Sequence, residues 1–403
     1  MQDNSTRSVW PLILSASAIL MITMGARQST GLFVFPINNS TGLGIVEISF
    51  ALAVGQFVWG AVQPIFGGIA DKWGSHHVLI FGGILLAAGL ALTPFVNSEW
   101  GLIVTMGLLS AAGAGAGSFS TLIGATARSL PPERRSFAGG VINAGGSLGQ
   151  FVFAPLLQAI IGSFGWVAAM FTMAGTTLLT IPLAYSLRGG ASSNPAPVDL
   201  SSSGGLKRQV IQALGNPSYL YLHAGFFTCG FHIAFLVTHL PGEVALCGHS
   251  ANVSAASLAI IGLFNIAGSL LAGALGSRYR MKYILAVMYG SRAVMIALYL
   301  FAPKTEITFY IFAAGLGFTW LATVPPTAGI VGKLFGTRYL ATLFGLTLLT
   351  HQVGGFLGAW LGGIAMAHDG NYLWMWYADI ALAFAAALIN LPIREEKMQL
   401  TNG

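Results

Sequence analysis

GGIADKWGSHHVL, residues 67–79, returns in altered form as GALGSRYRMKYIL, residues 273–285. Each copy is a short polar and basic loop set between two long apolar runs. A second pair keeps the same order: RSFAGGVINAGGSLG (135–149) is echoed by RYLATLFGLTLLTHQVGG (338–355). Two loops repeated in order mark a duplicated chain. When the repeated unit is a set of apolar helices, the site is expected between the halves, near the bilayer midplane.

The runs around these loops set the class. Of 403 residues, 55% are hydrophobic and 7% charged, where a soluble domain carries about 25% charged residues. That shortfall excludes a soluble multidomain enzyme, a disordered chain and a nucleic-acid binder. The net charge of +6 is spread too thinly for a phosphate-binding stripe. The 53 glycines follow no three-residue period, and Cys229 and Cys247 have no metal spacing. A spanning helix needs roughly 20 apolar residues. Such runs lie at 9–36, 46–70, 77–96, 101–127, 137–162 and 165–187, then at 217–241, 254–276, 283–302, 306–331, 339–366 and 372–393. The expectation is an all-α polytopic membrane protein of twelve transmembrane helices in two six-helix bundles with pseudo-two-fold symmetry. The first run is long enough to be a retained span rather than a cleaved signal.

Twelve spans put both termini on one side. Fifteen of the 18 Lys and Arg fall on that side, Lys304 alone on the other, and Arg27 and Arg292 within spans. The positive-inside rule makes the termini cytoplasmic, so the chain is expected in the inner (plasma) membrane. The hydrophilic stretch 189–216, rich in Ser, Gly and Pro, reads as a cytoplasmic linker between an N-terminal bundle (1–188) and a C-terminal bundle (217–403).

The segment Gly67 to Gly74 resembles the loop 2–3 signature of the major facilitator superfamily, G-x-L-A-D-R-x-G-R-K, with Ser75-His76 in place of the final Arg-Lys. In the second copy Ser277 stands at the Asp position and Arg278 remains. The resemblance implies a gating role for Asp71 and Arg278, a latch weakened by the missing basic pair, and a central cavity lined by spans 1, 4, 7 and 10. ARQSTGLFVFP in span 1 and FGTRYLATLFG with HQVGGFLG around span 11 resemble the bacterial monocarboxylate-porter and oxalate/formate-antiporter group. The chain departs from that group's relatives in span 8, where Asn265 replaces an Asp-x-x-x-Arg pair, and in span 11, which offers His351 instead of a base.

Ionisable groups within spans cost at least about 2.5–3.5 kcal/mol on insertion scales, so each needs a reason. Arg27 sits about 25 Å along span 1, a little past the midplane. Its planar fork suits a carboxylate and keeps its proton. Arg292 (span 9) and Asp379 (span 12) come to comparable depth, at the back of the second bundle by the family resemblance, and are expected to form a structural ion pair. The alternative is Arg292 as a second carboxylate clamp. Apart from Glu306 at the very end of span 10, spans 1, 4, 7 and 10 as bounded above contain no acid, which favours anion exchange, facilitated diffusion, or proton coupling through His or the substrate's own carboxyl. His351 and His232 are the candidates for proton coupling. The remaining candidate wall is Gln28 and Thr30, Ser118 and Thr121, Phe227, Trp320 and Gln352; hydrogen-bonding between helices is the plainer role for most of them. Pro325-Pro326 is expected to break span 10.

No nucleophile triad, phosphate loop or metal cluster is apparent, and no catalytic residue, cofactor or metal is expected. The expected function is a rocking-bundle carrier of a small organic anion, a monocarboxylate, working as a monomer in the lipid bilayer with no nucleic-acid partner. The alternatives are an efflux carrier for amphipathic drug-like molecules and a non-transporting receptor-like membrane protein.

Overall fold

The computed structural model describes residues 10–127, 132–188, 203–276, 278–336 and 340–396. Ten stretches of it are helical, long and apolar enough to cross a membrane. One of these, Ala138–Tyr185, is double: Gly165, at φ 84°, turns the chain back and separates span 5 from span 6. The helix Leu340–Asp369 adds the twelfth crossing.

Local chemistry sets the boundaries. Span 2 (Ile45–Trp73) ends at Gly74, whose φ of 94° no β-carbon would favour, and span 3 (Ser75–Leu92) starts directly after it. Span 7 (Pro217–Leu246) opens with Pro217 in its first turn, and the Asn216 side chain accepts from the N–H groups of Ser218 and Tyr219. Span 8 is Ala251–Gly276, span 9 Met281–Phe301 and span 12 Leu373–Asn390. Within the stretch expected to be a linker, Ser203–Leu214 form a helix, and 189–202 lie outside the described residues.

Spans 1, 4 and 10 are interrupted, each next to polar groups. Span 1 runs as Trp10–Gln28, passes through a tight turn at Thr30–Phe33 and continues to Thr41. Span 4 is wound loosely over Ile103–Ser110, ends its first part at Ala116 and resumes at Phe119–Ala127. Span 10 stops at Thr319 and resumes at Val324. The break therefore precedes Pro325-Pro326, which occupy the first turn of the resumed helix, where proline is tolerated.

Within the first bundle span 1 packs on 5, 2 on 4 and 3 on 6; in the second, 7 packs on 11, 8 on 10 and 9 on 12. The bundles meet where 2 crosses 11 and 5 crosses 8. Exchanging the halves reproduces every pairing, which is the pseudo-two-fold. The matching interfaces are equally close. A β-carbon at Gly149 would lie 2.1 Å from the Met21 carbonyl oxygen, and one at Gly230 would lie 1.7 Å from that of His351. Small residues let spanning helices gain van der Waals contact that lipid cannot offer.

The two bundles touch most closely in the half away from the basic loops, the distal half. There Phe50 meets Phe356 and Trp360 edge-on at 5.9 and 5.6 Å. A β-carbon at Gly31 would lie 2.1 Å from the Val237 carbonyl oxygen, across the interface of spans 1 and 7. Towards the basic end, Gly67, Gly68, Gly140, Gly273 and Gly345 have nothing within 4 Å of where a β-carbon would stand. Gly31→Ala is accordingly expected to part the distal ends. Overpacking costs about 1–3 kcal/mol, enough to move a two-state equilibrium roughly 5- to 150-fold. Pulsed-EPR distances between labels on the distal ends of spans 3 and 9 should lengthen. An unchanged distance with a lowered melting temperature would show that the Gly31 contact persists in both states.

Candidate functional site

The last turn of the first helix of span 1 carries Arg27. The freed carbonyls of that helix end are taken by its own neighbours: the Ser29 hydroxyl donates to the Gly25 carbonyl at 2.8 Å, and Thr30 to that of Arg27 at 3.0 Å. The sequence Gly-Ala-Arg-Gln-Ser-Thr thus both ends the helix and leaves a cation at its C-terminus, where the helix dipole favours positive charge. The guanidinium donates through Nη2 to the side-chain oxygen of Gln56 and lies 4.1 Å from the centre of the Trp59 ring. Both contacts come from span 2, and neither neutralises the charge. Arg27 makes no ion pair with any described residue.

Across the bundle interface stand His351 and Gln352 of span 11. Gln352 seats its side chain against Gly60, where a β-carbon would be 2.2 Å from its Cγ. His351 lies beside Phe226, ring centres 4.8 Å apart, within electrostatic reach of both Arg27 and Arg292. The buried polar atoms Trp59 Nε1, His351 Nδ1 and Gln352 Nε2 have no partner. Buried polar groups are normally hydrogen-bonded, so three unpartnered atoms around Arg27 mark this interface as a candidate site.

Of the other expected wall residues, Gln28 and Thr121 are buried with unpartnered side-chain oxygens. The Ser118 hydroxyl shares a hydrogen bond of 2.9 Å with Ser120, which in turn donates to Gln63 at 3.1 Å. Phe227 is partly exposed, and Thr30 is occupied as described above. The side chain of Asp71 and the whole of Ser277 lie outside the described residues; Arg278 is exposed in the loop before span 9.

Three expectations are corrected. Trp320 is not a cavity wall: it is 0% exposed, inside the second bundle, with its ring 6.1 Å from that of His232. The break before Val324 turns it inwards. Arg292 and Asp379 do not form an ion pair. His232 Nδ1, on span 7, instead shares a hydrogen bond of 2.5 Å with Asp379 Oδ2, both groups wholly buried. Arg292 Nη2 donates to the carbonyls of Thr319 (2.5 Å) and Trp320 (3.3 Å), which the break in span 10 leaves without helical partners. Equal depth is not adjacency; rotation about each helix axis decides which groups meet. Finally, span 7 does contain an acid. Its helix continues to Leu246 and takes in Glu243, which is buried near the distal end and accepts from the Tyr299 hydroxyl at 2.6 Å. It belongs to a distal cluster with Lys304, whose ammonium lies 3.7 Å from the Tyr299 ring centre, and leaves Arg27 unneutralised.

Gln56, Trp59 and Gln63 were not among the expected residues. Their signal was present: they recur at i, i+3 and i+7 in an otherwise apolar run, one face of a helix.

The Major Facilitator Superfamily matches this sequence over residues 16–359. Monocarboxylate transporter 13 of Rattus norvegicus is 26% identical over 388 residues, covering 95% of this chain and 89% of that protein. The oxalate:formate antiporter of Oxalobacter formigenes is 26% identical over 394 residues, covering 95% and 91%. Among solved structures, a D-xylose-proton symporter superposes with a TM-score of 0.76 at 14% identity, covering 98% of this chain and 100% of that one. A bacterial homolog of the human lysosomal transporter Spinster gives 0.69 at 14%, covering 97% and 95%.

Proposed function

This chain belongs to the Major Facilitator Superfamily, and from that premise we propose that it carries a small monocarboxylate, held by Arg27 between the two bundles. One observation carries the reading: a cation in the middle of the membrane whose contacts, Gln56 and the Trp59 face, leave its charge uncompensated. The cost of keeping it there is offset when a carboxylate arrives, and the planar fork can take both oxygens. Trp59 fixes the plane of the guanidinium by a cation–π contact. On the opposite wall His351 and Gln352 offer unpartnered polar atoms to the rest of the solute. Among the described residues a second carboxylate finds no second Lys or Arg beside Arg27, because Arg292 is committed to span 10 inside its own bundle. The names of the relatives, a monocarboxylate transporter and an oxalate:formate antiporter, support the same class of cargo.

The basic end is cytoplasmic in this reading, with both termini inside, following the positive-inside rule. The structure then opens inwards, and rocking the bundles about the midplane exposes Arg27 alternately to the two sides.

Counterflow tests the proposal. Proteoliposomes loaded with unlabelled formate, acetate, lactate or oxalate are expected to take up the corresponding labelled monocarboxylates faster than empty ones. Oxalate should exchange most weakly. Exchange confined to neutral sugars or hydrophobic cations would overturn the reading and favour the drug-efflux alternative.

A further inference from the structure

The second bundle holds a polar cluster that the anion site does not use. His232 and Asp379 are joined at 2.5 Å, and both are 0% exposed. Asp379 Oδ1, His232 Nε2, and Arg292 Nε and Nη1 are buried without partners. The cluster draws on four spans: 7, 9, 10 and 12. The other titratable groups facing it are Cys229 on span 7, Tyr289 on span 9 and His351 on span 11; Cys229 Sγ lies 3.4 Å from the Thr323 hydroxyl and 3.8 Å from the Trp320 carbonyl. Span 10 contributes no ionisable group to the cluster among the described residues, only the carbonyls of its break.

That break is gripped from two sides. Arg292 holds the carbonyls of Thr319 and Trp320. Asn265, on span 8, accepts at Oδ1 from the Leu321 N–H at 3.0 Å. The same Asn265 donates through Nδ2 to the Ser147 hydroxyl at 2.9 Å, and Ser147 belongs to span 5 of the other bundle. A continuous chain of contacts therefore leads from the charged cluster, through the break, to the interface that slides when the bundles rock.

We propose that the His232–Asp379 pair is a proton-binding site, separate from Arg27, whose occupancy sets the grip of Arg292 on the break in span 10. One proton from water adds to the pair. The carboxylate and neutral imidazole, charge −1, become either a carboxylic acid with imidazole or a carboxylate with imidazolium, charge 0. The cluster including Arg292 passes from 0 to +1. With the pair neutral, the carbonyls of Thr319 and Trp320 are the strongest acceptors left to Arg292, and it holds the break as seen here. With the proton gone, the carboxylate competes for the guanidinium, whose Nε and Nη1 are free to turn to it. The grip loosens, and Asn265 passes the shift to Ser147. The observed arrangement, with no Arg292–Asp379 contact within 4 Å, is the protonated one.

The test needs no transported solute, so its failure leaves the anion reading standing and the reverse also holds. Cysteines replacing Phe95 and Phe301, both exposed at the distal ends of spans 3 and 9, are spin-labelled in full-length protein lacking Cys247; the wholly buried Cys229 is kept. Distances are measured in lipid nanodiscs between about pH 5 and pH 9, a range spanning imidazole titration. The wild-type distance is expected to be short at the acid end and to lengthen as pH rises. Asp379→Asn, neutral at every pH, should stay short throughout. His232→Gln should shift the midpoint, and Asn265→Ala should uncouple the distance from pH while the carboxyl band of Asp379 or the ring bands of His232 still titrate in infrared difference spectra. A wild-type distance that ignores pH overturns the proposal. So does an Asp379→Asn protein that moves with the wild-type midpoint.

Discussion

Arg27→Ala is expected to weaken monocarboxylate binding about 10- to 100-fold while leaving the fold as stable as before or more so. A hydrogen bond to a charged group contributes about 1.5–3 kcal/mol, and each 1.4 kcal/mol is tenfold in affinity. The truncated side chain removes the guanidinium proposed to hold the carboxylate, and Arg292 is committed to span 10 and does not substitute for it. Stability should not fall in parallel. The protein holds Arg27 by one amide and one aromatic face, and deleting a poorly compensated buried charge removes a desolvation cost. Arg27→Lys separates charge from shape: it keeps the cation and loses the planar fork, so binding should fall between that of wild type and alanine. Thermal shift and counterflow with formate and lactate read both properties on the same preparation. Equal anion binding by the alanine variant, with a normal melting temperature, would end the assignment of Arg27 to the cargo.

Asp379→Ala is expected to destabilise the second bundle by about 3–5 kcal/mol, the range found when one member of a buried charged pair is deleted. The truncation strands His232 Nδ1, which is hydrogen-bonded to Oδ2, and removes the carboxyl group of the cluster from a site with no solvent access. Asp379→Asn keeps an oxygen for His232 and should cost less than half as much. The order alanine below asparagine below wild type in melting temperature, measured in lipid nanodiscs, distinguishes a held pair from a coincidental approach. Indistinguishable melting of all three would show that the contact contributes nothing. Stability and proton response are separate readouts here: the asparagine variant is expected to fold nearly normally and yet to lose its pH dependence.

How much of the site could be read in advance differs from group to group. Arg27 was legible because a cation inside an apolar run is expensive and therefore needs a reason. Its partners were half-legible, since the Gln56, Trp59, Gln63 face has helical spacing but no charge to draw attention. The pairing of Asp379 was not legible. Depth follows from counting residues along a helix, and by depth Arg292 was the better partner. Which face each helix turns inwards depends on packing, and span 7, not span 9, turns its polar side chain towards span 12. Glu243 was missed because its helix runs five residues beyond Pro241, to Leu246, with burial overriding the stop that proline signals.

The sequence alone determined the membrane class, the twelve crossings, the duplication and the presence of a cation, Arg27, inside span 1. All four rest on properties of single segments: apolar length, repeated loops and the rarity of charge. Only the tertiary structure decided that Asp379 belongs to His232, that Arg292 clasps the broken span 10, and that Asn265 ties this break to Ser147 of the other bundle. These depend on how each helix is rotated about its axis and on where a helix is interrupted. Both are settled by packing among several segments at once, and no one segment carries that information.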